Sequence, residues 1–165
     1  MTGGISFALT FLAAIGSGLV VGVFFAFSTF VMQALTRLRP AQGIAAMQSI
    51  NVTVLNRWFF IPFFGTAAAC VALVVSSLSG WREPGSWLRL VASGLYLVGT
   101  ILVTIVGNVP RNNALAAVDA ESADGAAVWA RYVPGWTRWN TLRTAAALAA
   151  ATTLMLALVA DRTRS

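Results

Sequence analysis

Four long apolar runs leave this chain few folds to choose from. They cover residues 5–32, 58–78, 87–108 and 141–160 of the 165. About 20 apolar residues in a helix cross the ~30 Å hydrocarbon layer of a bilayer. In lipid every backbone N–H and C=O must be bonded within the protein, which leaves helices or a closed barrel. Runs this long, with no strict two-residue alternation, predict helices. The first, at about 1.5 Å per residue, would reach about 42 Å and must tilt or protrude. It has no Lys or Arg before it and is about twice the length of a signal-peptide core, which argues against a cleaved signal.

Composition agrees. Hydrophobic residues make up 58% and charged residues 10%, where a soluble domain carries about 25% charge. Mean hydropathy is +0.79. The fold expected is all-α: a single membrane domain over residues 1–165, built as a bundle of four transmembrane helices. Two longer, partly helical connectors, 36–57 and 111–139, lie on one membrane face, and a short turn at 79–86 on the other. In the first connector Pro40 can open a helix. Ile44, Met47, Ile50, Val54, Leu55 and Trp58 follow at helical spacing, as in an interfacial amphipathic helix or an extension of the next span. Pro110 disfavours helix at Val109, and Pro134 is read as a helix start.

The eleven basic residues are all arginine, against five acids. They are scattered at the ends of the apolar runs and form no basic stretch, so nucleic acid is not an expected partner. Snorkelling and topology account for them. Arg37, Arg39, Arg57, Arg111, Arg131, Arg138 and Arg143 fall on the side of the long connectors; Arg82, Arg89, Arg162 and Arg164 fall opposite. The positive-inside rule then predicts a multi-pass cell-membrane protein with the long connectors cytoplasmic and both termini outside. Trp58, Trp81 and Trp87 suit interfacial anchoring, whereas Trp129, Trp136 and Trp139 are denser than anchoring needs.

Histidine is absent and Cys70 is the single cysteine, so no disulfide forms within the chain and neither metal nor cofactor is expected. No ionisable residue falls in the middle of the runs as bounded above, which counts against a proton pump or ion channel. Ala14, Gly18, Gly22 and Ala26 recur every four residues, a packing seam within the bundle or between copies in a homo-oligomer. Membrane lipid and a hydrophobic aromatic small molecule are the other partners expected.

The remaining polar residues are patterned. Tyr96, Thr100, Thr104 and Asn108 make a stripe along the third run, suited to interhelical hydrogen bonds. The segment from Asn108 to Asn113 holds three carboxamides and Arg111 around Pro110 and can offer convergent donors or simply cap a helix. Asn51 lies in an apolar stripe, costly unless bonded. Trp136, Trp139, Asn140 and Arg143 are spaced to share a face and could grip a flat anionic or phenolic ring, or a lipid headgroup. Connectors one and two emerge at the same membrane face, so these groups should meet at the mouth of the bundle.

Three stretches carry a family resemblance: Ala45-Ala46-Met47-Gln48-Ser49-Ile50-Asn51, Asn108-Val109-Pro110-Arg111-Asn112-Asn113-Ala114-Leu115, and Trp136 with Trp139-Asn140 and Arg143. With them the chain resembles the anthrone oxygenase-like family of small four-helix membrane proteins. The resemblance implies a cofactor-independent oxidoreductase, a monooxygenase of phenolic polyketide aromatics. It implies Asn108, Asn112, Asn140 and Arg143 as catalytic donors, and Asn51, Asn113, Trp136 and Trp139 as substrate-binding residues. A base would have to be Tyr132 or one of Asp119, Glu121 and Asp124. The alternative is a non-enzymatic membrane protein that binds lipid or a small hydrophobic molecule, or an accessory subunit.

Overall fold

The computed structural model describes residues 2–162; Arg164, counted above for orientation, lies outside them. In chain order the elements are α1 (Thr2–Ala26), a π-helical turn (Phe27–Val31), α2 (Met32–Thr36), α3 (Pro40–Thr53), α4 (Arg57–Ser79) and α5 (Ser86–Tyr96). Two further π turns (Leu97–Leu102 and Thr104–Asn108), α6 (Val109–Ala116) and α7 (Gly125–Arg162) complete it. Four continuous helical rods result, apolar and long enough to cross a membrane: Gly4–Thr36, Arg57–Ser79, Ser86–Ala116 and Gly125–Asp161. They form a square in which α1 packs on α4 and α7, and α5 packs on the same two.

Local chemistry sets the ends. The Asn56 Oδ1 accepts from the backbone N–H groups of Trp58 (2.9 Å) and Phe59 (3.2 Å), capping α4. Gly85 enters α5 at φ 73°, and a Cβ there would meet the Asp161 carboxylate and the Ala157 carbonyl, so glycine is required. Beside it Arg89, 2% exposed, donates from Nη1 to Asp161 Oδ2 at 2.8 Å and from Nη2 to Ser86 Oγ at 3.1 Å. That pair ties α5 to the end of α7 and closes one end of the bundle.

The other end is built differently because the rods are unequal. The second has 23 residues, the others 33, 31 and 37. At about 1.5 Å per residue the longer three overshoot α4 by about 12–21 Å, all at the end where α4 begins. There α3 fills the vacant corner. Its Ile44 and Met47 are fully buried against Leu115, Trp129, Tyr132 and Trp136. The Gln48 Nε2 donates to the carbonyls of Leu115 and Val118, both at 2.9 Å, tethering α3 to the end of α6.

Three expectations need correction. The fourth helix starts at Gly125, so Pro134 lies inside it rather than at its start. Burial of Trp129 and Tyr132 against α3 stabilises a stretch whose polar composition reads as connector. The third rod passes Pro110: Val109 is helical at φ −59°, ψ −48°, and its N–H bonds to the Thr104 carbonyl five residues back. The wide π turn makes room for a proline ring that would strike a regular turn. Arg143 consequently lies at the middle of the fourth rod rather than at its start. The expected seam divides: Ala14 is buried in the core, while Gly18 and Gly22 have open space over their Cα atoms. The close approach in α1 is at Gly16, against Thr66 of α4.

Candidate functional site

Arg143 is a cation sealed in an apolar wall, 7% exposed. Charged groups at such depth are costly unless their hydrogen bonds and charge are met. Three of its five N–H donors are engaged by the chain. Nε and Nη2 both donate to Asn140 Oδ1, at 3.0 and 2.8 Å, and Nη1 donates to Thr104 Oγ1 at 3.1 Å. The guanidinium also sits 3.7 Å from the centroid of the Phe24 ring and 5.5 Å from that of Trp136. Among the described residues no carboxylate pairs with it; the ion pairs found belong to Arg89.

Asn140, fully buried, holds that arrangement. Its Nδ2 donates to the Phe24 carbonyl and to Ser28 Oγ, both at 2.7 Å. Ser28 lies on the π turn of the first rod, which links the placement of Arg143 to the backbone of α1. Thr104, on the π turn of the third rod, gives its hydroxyl proton to the Thr100 carbonyl at 2.7 Å and so offers its oxygen to Arg143.

In front of Arg143 lies a cavity of about 110 Å³. Phe24, Phe27, Met47, Ile50, Phe59 and Trp136 make most of its wall, and its polar side chains are Asn51, Thr104, Asn112 and Arg143. Three rim residues, Val23, Leu55 and Val109, are 38%, 61% and 40% exposed, so the cavity reaches the outer surface of the bundle near the start of α4. Its position follows from the vacant corner: Leu55 belongs to the break between α3 and α4. A larger groove between α1 and α4, about 550 Å³, is lined by leucine, isoleucine, alanine, glycine, Pro62 and Thr66, with no charged or amide side chain.

The expected site residues divide into three groups. Asn51, Asn112, Trp136 and Arg143 line the cavity. Asn108 and Asn140 stand behind it. The Asn108 Nδ2 donates to the Trp136 carbonyl at 3.2 Å, while its buried Oδ1 has no partner among the described residues. Trp139 and Asn113 are elsewhere. Trp139 packs over Gly107 and beneath Arg111, whose Cζ is 5.5 Å from its ring, and Asn113 is exposed. So Trp136, Asn140 and Arg143 share a face as their spacing suggests, and Trp139 is on its flank.

Asn112 is held by two donors. Trp136 Nε1 and the Tyr132 hydroxyl both donate to its Oδ1, at 2.7 and 3.1 Å. Tyr132 stacks between Trp129 and Trp136, and its hydroxyl sits beside the Asn51 side chain. The Asn51 nitrogen is buried and has no hydrogen bond among the described residues. Asp119, Glu121 and Asp124 are exposed, and none lines the cavity.

Phe24, Ser28 and Phe27 were not singled out from the sequence. Phenylalanine and serine within an apolar run carry no mark of their own; Phe24 lies on α1 and Phe27 and Ser28 on the π turn after it, and packing against the fourth rod brings them to Asn140 and Trp136.

A family model described as anthrone oxygenase matches residues 57–153, more than half of the chain. No curated protein and no solved structure gives a significant match.

Proposed function

The chain belongs to the anthrone oxygenase family, and from that premise we propose that it is a cofactor-independent oxygenase of phenolic, membrane-soluble aromatic compounds. One observation carries the reading. A buried guanidinium with no carboxylate partner among the described residues, held by Asn140, faces an apolar cavity that opens at the bundle surface. A site with that charge is completed by an anion.

The chemistry asks little of the protein. An anthrone loses a proton from its methylene carbon to give a delocalised anion with most of its charge on the carbonyl oxygen. Arg143 stabilises that anion from the ring edge that carries its oxygens, which is the role of oriented donors in a low-dielectric site. The anion passes one electron to dioxygen, and the radical and superoxide combine at the same carbon. Protonation gives a hydroperoxide, and loss of water gives the quinone. The balance is one anthrone and one dioxygen to one quinone and one water. At about 110 Å³ the cavity admits one ring rather than three, so Phe24, Phe27 and Trp136 offer apolar faces to the oxygen-bearing ring and the others extend through the opening at Val23 and Leu55. The exposed acids do not line the cavity and the Tyr132 hydroxyl gives its own proton to Asn112, so the proton leaves to water at the rim near Leu55. The arginines exposed around this end, Arg37, Arg39, Arg57 and Arg131, support a multi-pass arrangement with the cavity toward the cytoplasm.

Membranes containing the chain should be given emodin anthrone while quinone absorbance and oxygen uptake are followed together. Quinone formation above the spontaneous rate, at one dioxygen per quinone and lost in Arg143→Met, is expected. A rate equal to that of empty membranes would end the anthrone version and favour a site that binds aromatic compounds without turning them over.

A further inference from the structure

We propose that Asn112 sets substrate specificity, by donating to the ring carbonyl oxygen of a ligand whose neighbouring ionised phenol is held by Arg143. The choice of aromatic ligand rests on the oxygenase reading; the direction of the hydrogen bonds does not.

An asparagine can usually turn either end toward a cavity. Asn112 cannot. Trp136 Nε1 has only a proton to give, and it points at Asn112 from 2.7 Å. The group facing it must be the amide oxygen. The Tyr132 hydroxyl, at 3.1 Å, takes the second lone pair of that oxygen. The two amide protons are then what Asn112 has left for a ligand.

The neighbouring wall has the same character. Thr104 spends its proton on the Thr100 carbonyl and its oxygen on Arg143. Arg143 has two N–H groups not taken by the chain and no acceptor at all. Trp136 stands between them, bonded to Asn112 at its nitrogen and 5.5 Å from the guanidinium carbon at its ring. From Thr104 to Asn112 this wall offers hydrogen-bond donors. A ligand that fits must present acceptors at two points: an oxyanion to the guanidinium and a carbonyl oxygen to the amide. An aromatic carrying hydroxyl groups alone satisfies one point and leaves the Asn112 amide unmet, which a buried site penalises.

The test is binding without turnover. The full chain in lipid nanodiscs would be titrated under argon with 1,8-dihydroxyanthraquinone and with 1,8-dihydroxyanthracene, which lacks the carbonyl. Empty nanodiscs correct for partition into lipid. The wild type should prefer the ketone by about tenfold, the scale of one hydrogen bond in a buried site. Asn112→Leu should bring the affinity for the ketone down to that for the diol, so the ratio of the two on the same variant is what the test reads. Asn112→Asp keeps an oxygen for Trp136 and Tyr132 but offers no protons, and it should erase the preference too; it decides the matter if the leucine variant does not fold. A preference that survives both substitutions, equal weakening of both probes, or no binding of either probe by the wild type overturns the proposal. Selective binding without any oxidation of anthrones would sink the oxygenase reading and leave this one standing.

Discussion

The Asn140 carboxamide oxygen accepts two hydrogen bonds from the Arg143 guanidinium one helical turn later, at 3.0 and 2.8 Å. A bundle built only to stay folded has no use for this arrangement. Replacing an unpaired buried ion by an apolar group of similar length removes a desolvation cost. Arg143→Met sheds that cost but leaves the buried Asn140 Oδ1 without its two donors, so it is expected to melt in detergent close to the wild-type temperature while losing about 10²- to 10³-fold in anthrone oxidation, the usual loss for one oxyanion donor. A purely structural arginine would give the reverse, a lower melting temperature with no turnover to lose.

Asn140→Leu separates placement from charge. It strands Ser28 and the guanidinium N–H groups in a dry interior, and unmet buried donors cost about 1–3 kcal/mol. The expected variant folds with a lower melting temperature and keeps its cation but aims it poorly. Oxidation rate should fall more than substrate affinity, and titration of turnover against substrate concentration reads the difference. Activity at the wild-type level would show that Arg143 does not depend on this partner for its position.

At the opposite end Arg89 and Asp161 meet at 2.8 Å, with Asp161 21% exposed. Asp161→Asn leaves Arg89 with Ser77, Ser86 and the Pro84 carbonyl but without its close counter-charge. Loss of one member of a buried pair costs about 3–5 kcal/mol, and partial exposure of Asp161 puts the expectation at the lower end. Thermal unfolding should register it, while ligand binding at the far cavity stays as in the wild type. A coupled loss of binding would mean that the two ends are mechanically linked.

Much of this architecture is legible in the apolar runs, because a bilayer permits so few solutions. Four helices, the turn at 79–86 and the start of α3 at Pro40 all follow from run length and proline position. Where the rods end does not. The stretch from Gly125 to Trp139 reads as a connector because Arg131, Pro134 and Arg138 interrupt it. It is helical because Trp129, Tyr132 and Trp136 are buried by α3, a contact between elements about 80 residues apart. The π turns are equally hidden, and they shift the register by which a four-residue repeat would aim Thr104, Asn108 and Asn112. Spacing could gather Asn51, Asn112 and Arg143 at one mouth. It could not say that Asn108 and Asn140 stand behind the wall, or that Trp139 turns away to cover Gly107.

Pro110 tests whether the π turn serves the site. The turn is held in part by a residue that has no N–H and whose ring crowds the preceding turn. Pro110→Ala restores a donor and permits a regular helix from Thr104 to Ala116, the state of lower energy for an isolated segment. The variant should melt at a higher temperature and bind 1,8-dihydroxyanthraquinone more weakly, because Asn112 rotates away from Trp136 and Tyr132. Unchanged melting and binding would mean that packing against α7, rather than the proline, holds the turn.

Gly99 asks what lets the third rod approach the fourth. A Cβ there would overlap the Cβ of Ala146 on α7, and a methyl group has no rotamer by which to escape. The helices would have to part, and overpacking of this kind costs about 1–3 kcal/mol. Gly65 is the control: it sits on α4 with nothing near its Cα, so Gly65→Ala removes a flexible residue from a helix at no steric cost and should be neutral or mildly stabilising. Gly99→Ala is expected to lower the melting temperature in detergent and to widen the seam about one turn from Thr104 and Arg143. Oxidation should then drop along with stability, since the bond from Arg143 Nη1 to Thr104 Oγ1 crosses that seam at 3.1 Å. Equal melting temperatures for the two alanine variants would refute the close contact between these rods.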